Sequence, residues 1–230
     1  MRPIVLKAAK SQLEYLKVDN QSSKAICLLH GYGASMYDLY PLKDAIKVSS
    51  QFDWYFVQAP IPLNMGGMAG AAWFPIDMVA LEKAMQEGGH RKFSSLYSEE
   101  FASSIEKMSL FANDILTNYS EVHLGGFSQG AMVSSHLMGQ NISNLKSLTL
   151  LSGNLIGDNQ LEAGLKDKAT FRFFQSHGIQ DPVLGYDQAK DLFEHLKLHG
   201  HQGEFVSFQG GHEIPMDVLN KWNKFLEYYQ

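Results

Sequence analysis

The chain has 230 residues, 45% of them hydrophobic and 19% charged, so it can bury a sizeable core without disulfides or metals to hold it together. A formal net charge of −5, with no run of lysine or arginine, excludes an electrostatic nucleic-acid footprint and argues against simple docking on anionic lipid. The lone Cys27 cannot form an internal disulfide, and no stretch approaches a signal-peptide core or the ~20 apolar residues of a membrane span, so a cytoplasmic protein is expected.

In chain order, Lys24–Leu29 is a short apolar run with turn residues after it, and Cys27 inside it reads as a small buried residue. Asp53–Val57 is the next run, followed by Pro60 and Pro62. The segment 63–95 breaks the rhythm. It holds five of the 20 glycines and several methionines, and reads as an irregular, lid-like excursion. Phe101, Ile105, Met108, Ala112, Ile115 and Tyr119 then recur at steps of three or four, as one face of a helix. Val122–Phe127 leads into a glycine-flanked turn, and the runs Leu145–Leu151 and Phe171–Gln175 follow. Ala189, Leu192, Phe193 and Leu196 form a second helical stripe. After the run Glu204–Phe208 comes a third, Val218, Trp222, Phe225 and Leu226, with Pro215 at its first turn. Short apolar runs alternating with amphipathic helices predict one α/β domain over 1–230, with a mostly parallel central sheet and helices on both faces. Functional residues in such sheets cluster at the carboxyl ends of the strands.

Four such ends carry chemistry. Gly126-Phe-Ser-Gln-Gly130 is a G-x-S-x-G between a predicted strand and a helix-compatible run. A nucleophile there needs a strained backbone and small neighbours, and gains a helix N-terminus beside it. Ser128 is thus the candidate nucleophile, and as a weak one it requires a base. Of nine histidines, His212 in Gln209-Gly-Gly-His-Glu213 sits in a loop after a strand and before the last helix. His123 and His136 flank the nucleophile on a strand and a helix, where core or surface roles are expected. A zinc reading of His212-Glu213 fails, because HExxH needs histidine where Met216 stands. Asp181, after the run Phe171–Gln175, can orient the histidine. The order Ser128, Asp181, His212 is that of α/β-hydrolases. Leu28-Leu-His-Gly-Tyr-Gly33 offers a loop after an early strand, so backbone N–H groups of Tyr32 and Gln129 are the candidate oxyanion donors. Met65, Met68, Trp73 and Phe74 supply apolar surface for an acyl pocket and lid. No metal or cofactor motif is present.

Together these stretches resemble the phospholipase/carboxylesterase family, which includes acyl-protein thioesterases and small bacterial carboxylesterases. The matching residues are Leu29-His-Gly-Tyr-Gly33, Trp73-Phe74, Gly125-Gly-Phe-Ser-Gln-Gly130, His177-Gly-Ile-Gln-Asp-Pro-Val183 and Gly210-Gly-His-Glu-Ile214. The resemblance implies a single α/β-hydrolase domain, no cofactor, a triad on Ser128, Asp181 and His212, oxyanion groups on Tyr32 and Gln129, and often a homodimer. This chain has Ala34-Ser35 where the family often has an acidic residue, and Pro75 where it often has Asp. Both departures lie near the expected acyl site and bear on substrate preference. The expected activity is hydrolysis of short- to medium-chain carboxylic esters through an acyl-enzyme. Thioesterase or lysophospholipase activity, an acylated-protein substrate and transient membrane contact stay open, as does an inactive binding protein on the same fold.

Overall fold

A computed structural model of the chain describes residues 3–48, 52–66 and 68–228. Eight strands form one sheet in the order β1 (Val5–Lys7), β2 (Glu14–Val18), β4 (Asp53–Val57), β3 (Lys24–Leu29), β7 (Glu121–Phe127), β8 (Leu145–Leu151), β9 (Arg172–Gly178), β10 (Gln202–Phe208). β2 pairs antiparallel with both β1 and β4, and the six strands β4, β3, β7, β8, β9 and β10 run parallel. The expected mostly parallel sheet is therefore present, with two antiparallel strands added that carried no clear apolar run.

The strands read as continuous apolar runs because both faces are covered. On β3, Ala25, Cys27 and Leu29 enter one core, while Ile26 and Leu28 enter the other. The first core is closed by α3 (Glu99–Ile115), α4 (Gln129–Leu137), α5 (Asp158–Leu165) and α6 (Tyr186–Leu198). The second is closed by α7 (Met216–Glu227), whose Val218, Leu219, Trp222 and Leu226 reach Trp54 and Phe56, with Leu42 and Ala45 of the short α1 (Leu42–Ala45) at its border. The stripe expected on α3 faces the first core through Phe101, Ile105, Met108 and Ala112, but the helix stops at Ile115. Tyr119 lies beyond it, with its hydroxyl on Asp53 and Tyr55.

Part of the segment 63–95, expected to be irregular, is regular, while residues 73–77 and 87–95 carry no helix or strand. It contains most of the hairpin β5 (Ile61–Met65) and β6 (Met68–Ala72), then α2 (Met78–Gln86), capped by Asp77 on the Ala80 N–H. The carboxyl-proximal half of the hairpin is stitched to the loop after β3. Gly33 N donates to Ala71 O, and Ala71 N donates to Ala34 O, each at 2.9 Å.

Candidate active site

The chain leaves β7 at Phe127 and enters α4 at Gln129, so Ser128 alone makes the turn. Its backbone takes φ 55° and ψ −119°, a conformation few side chains tolerate. Three contacts maintain it. Ser128 N donates to Leu151 O at the end of β8 (2.8 Å), and Ser128 O accepts from Ala131 N and Met132 N. Below the turn, helix α4 presses onto β3. A Cβ on Gly126 would stand 2.6 Å from Leu29 O, and one on Gly130 would overlap the same carbonyl. The glycines flanking the serine are thus demanded by the close approach of two backbones.

The candidate acid–base pair comes from two neighbouring loops. β9 and β10 run in register to Gly178↔Phe208. Beyond that point Ile179 N bonds Phe208 O and Gln180 N bonds Gly210 O, so the two loops leave the sheet together. Asp181 is buried, and its Oδ2 lies 2.7 Å from His212 Nδ1. Its Oδ1 accepts from the N–H groups of Val183 (2.8 Å) and Leu184 (2.9 Å). Burial alone would raise the Asp181 pKa. The His212 hydrogen bond and charge, with the two backbone donors, outweigh it and hold the carboxyl below its ordinary value. An ionised acceptor there requires the proton on Nδ1 of His212, which leaves Nε2 free to accept. The imidazole lies against the ring of Phe127, centroids 4.7 Å apart, beside Ser128 in the chain. Ser152 Oγ donates to Glu213 O at 3.3 Å, tying the histidine loop to the end of β8. Among the described residues no hydrogen bond joins Ser128 Oγ to His212. Such bonds are commonly long until substrate closes the site.

Two further histidines surround Asp181, and neither has a role read from the sequence. Nε2 of the buried His177 lies 2.8 Å from Leu184 O and 3.3 Å from Asp181 Oδ2; both neighbours accept, so Nε2 carries the proton. His90 Nε2 lies 2.8 Å from Asp181 O. His177 was visible in the motif, but its geometry became legible only with β9 extended to Gly178. His90 comes from the excursion, with no local signal of its destination.

The loop after β3 carries Tyr32. His30 Nε2 accepts from Ala59 N (3.1 Å), so its Nδ1 bears the proton and donates to Gly31 O (2.7 Å). Burial, only partly offset by that bond, pulls the imidazole down to about 4 and keeps it neutral. The Gly31–Tyr32 peptide is trans, so pinning its carbonyl aims the Tyr32 N–H the opposite way. Gln129 N–H is a first-turn helix donor with no carbonyl one turn behind it.

Of the predicted pocket residues, Phe74 lines a cavity of about 350 Å³ with Pro75, Phe93, Tyr97, Phe101 and Ile156, and Arg91 at its border. Trp73 is fully buried in the first core and does not line this cavity. The side chains of Met65 and Met68 lie outside the described residues. His136 sits beside the cavity, with its ring 4.9 Å from Phe101 and its Nε2 bonded to Ile156 O, so it is a core histidine. No group of three or more potential metal ligands occurs among the described residues, and no helix there is long and apolar enough to cross a membrane.

A sequence model of the family described as Phospholipase/Carboxylesterase matches residues 13–230. Acyl-protein thioesterase 1 of Candida albicans is 26% identical over 221 residues, covering 90% of this chain and 93% of that protein. Esterase PE8 superposes with a TM-score of 0.78 at 23% identity, over 99% of this chain and 98% of its own. A carboxylesterase from Mesorhizobium loti gives 0.76 at 18% identity, over 99% of each chain. At these identities the solved structures speak for the fold, which is the α/β-hydrolase fold.

Proposed function

The chain belongs to the phospholipase/carboxylesterase family, and we propose that it is a serine carboxylesterase working through an acyl-enzyme on Ser128. The observation that carries this reading is the Asp181–His212 pair, 2.7 Å apart, packed against the ring next to a serine held at φ 55°. In the proposed reaction Ser128 Oγ attacks the ester carbonyl carbon while His212 Nε2 takes its proton. The negative oxygen is held by the N–H groups of Tyr32 and Gln129. Collapse breaks the C–O bond to the alcohol, which leaves with the proton from His212. Water, deprotonated by His212, then releases the acid and restores Ser128. Asp181 stays ionised and stabilises the imidazolium.

The cavity supports a medium-length acyl group. It borders Phe74, whose carbonyl touches the Gln129 side chain, and it reaches Phe101 and Ile156 beside His136. Gln129 and His136 are seven residues apart on α4, about 10 Å at 1.5 Å per residue. The cavity wall is aromatic and aliphatic, and Pro75, one of the two departures from the family pattern, forms part of it.

A thioester on an acylated protein is the second reading. It is favoured by the name of the Candida albicans relative and needs the same nucleophile and oxyanion donors. Turnover of p-nitrophenyl esters and matched thioesters of rising acyl length decides between them. Ser128→Ala should fold normally and lose on the order of 10⁶ in rate. A purified Ser128→Ala protein retaining a tenth of the wild-type rate rules out this mechanism.

A further inference from the structure

We infer that the Gln129 side chain and Trp73 form a bracket that sets the separation of the two oxyanion donors, so that Gln129 acts through its side chain as well as its backbone. The inference rests on the esterase reading above. If only the backbone N–H of Gln129 mattered, many side chains could stand at the start of α4. The one present is buried and committed at both ends. Gln129 Oε1 accepts from Trp73 N at 2.7 Å, and Gln129 Nε2 donates to Phe74 O at 2.7 Å. The partners fix the orientation of the amide, since oxygen must meet the N–H and nitrogen the carbonyl.

Trp73 carries the connection across to the other donor. Its indole Nε1–H donates to His30 O at 2.9 Å, one peptide before the group that bears the Tyr32 N–H. The two rings lie 5.9 Å apart, and Trp73 O accepts from Ser104 Oγ of α3. Trp73 therefore has its N–H on α4, its carbonyl on α3 and its indole on the loop after β3. A continuous chain of hydrogen bonds runs from Gln129 through Trp73 to His30, joining the two backbone segments that must present their N–H groups to one oxygen. Oxyanion donors act through preorganisation, and a displacement of about 1 Å at such a site is enough to lose about 10²-fold in rate. Glutamine is suited to the task because the bend at Trp73–Phe74 offers one donor and one acceptor. A carboxylate would satisfy the N–H and face the Phe74 carbonyl with like charge, and a hydrocarbon would leave both unpaired.

The test uses Gln129→Met, which keeps the bulk and removes both bonds, and Gln129→Glu assayed at pH 8 and above, where the ionised carboxylate keeps the acceptor alone. Each is measured for kcat, for KM on a p-nitrophenyl ester, and for the rate at which a fluorophosphonate labels Ser128. The bracket predicts that Gln129→Met loses about 10²-fold in kcat and in labelling rate with KM within about twofold, and that Gln129→Glu loses less but in the same parameters. A purely structural role for the amide would move thermal stability and leave kcat and labelling near wild type. Rates within about threefold of wild type in either soluble variant, or a loss confined to KM, overturn the bracket. Should Gln129→Met not fold, Gln129→Glu decides by the same criteria. Failure of the wild-type protein to label at Ser128 sinks the esterase reading, and the bracket with it. Normal wild-type labelling with unslowed variants sinks the bracket alone.

Discussion

Ser128 is aimed by its own backbone, held by main-chain bonds to Leu151, Ala131 and Met132 and by the contact of α4 with β3, whereas Asp181 and His212 are aimed by bonds to their side chains. The first arrangement is steric, set by the close approach of two backbones. The second is electrostatic and depends on which groups carry protons. The two halves of the proposed site should therefore fail differently: the elbow around Ser128 by loss of fold when its glycines are enlarged, the acid–base pair by loss of rate with the fold intact.

The strongest test of the second half is Asp181→Asn. An amide can still bond His212 but favours the wrong tautomer, so kcat should fall roughly 10⁴-fold, about 5.5 kcal/mol in the barrier, at little cost in KM. A loss below tenfold in steady-state kinetics breaks the assignment of Asp181.

Acid should act mostly on the nucleophile half, although burial also holds down His177 beside Asp181. Burial holds His30 and His136 down to about 4 and His123, also near charged lysines, to about 3, from an ordinary 6.5. All three lie in or beside the nucleophile half, on β7, α4 and the loop after β3. The unfolded chain protonates them below 6.5, while the folded chain resists until about 4 or lower. Their contribution to stability is complete above 6.5 and is lost as pH falls through that window, at about 4 kcal/mol per pH unit for three protons. Asp181, with its lowered pKa, stays ionised through the same window and loses its contribution only in stronger acid. Urea melts at pH 7, 6 and 5 check the slope. A stability independent of pH over that range contradicts neutral burial of these histidines.

Gly130→Ala sharpens the steric side. The added methyl overlaps Leu29 O, and separating α4 from β3 should cost about 3 kcal/mol. A thermal melt unchanged within a degree or two shows that the elbow is less tightly built than these contacts require.

Much of this was legible in the sequence because the signals are local. β3, β4 and β8 match their apolar runs end for end, since strands buried on both faces need no alternation to be read. The G-x-S-x-G turn declares itself because its glycines and serine are adjacent. The hairpin β5–β6 did not, because glycine and alanine carry little strand preference and its pairing is stabilised by the loop after β3. Helix α2 was missed although Asp77 caps it, since it is short and Leu81 is its one buried residue. Nothing local could place His90 on the Asp181 carbonyl or Gln129 on Trp73. Those partners lie 91 and 56 residues apart.

The order of the strands also has a temporal consequence. Everything that strains Ser128 lies between Lys24 and Leu151, in β3, β7, α4 and β8, while Asp181 and His212 follow later in the chain. Ribosomal synthesis proceeds from the amino end, and the pieces that bend the serine are all made before its proposed base, His212. On the proposed mechanism, a chain made only this far carries Ser128 without the His212 that would take its proton. That proposed latency would end once β9 pairs with β8 and β10 with β9.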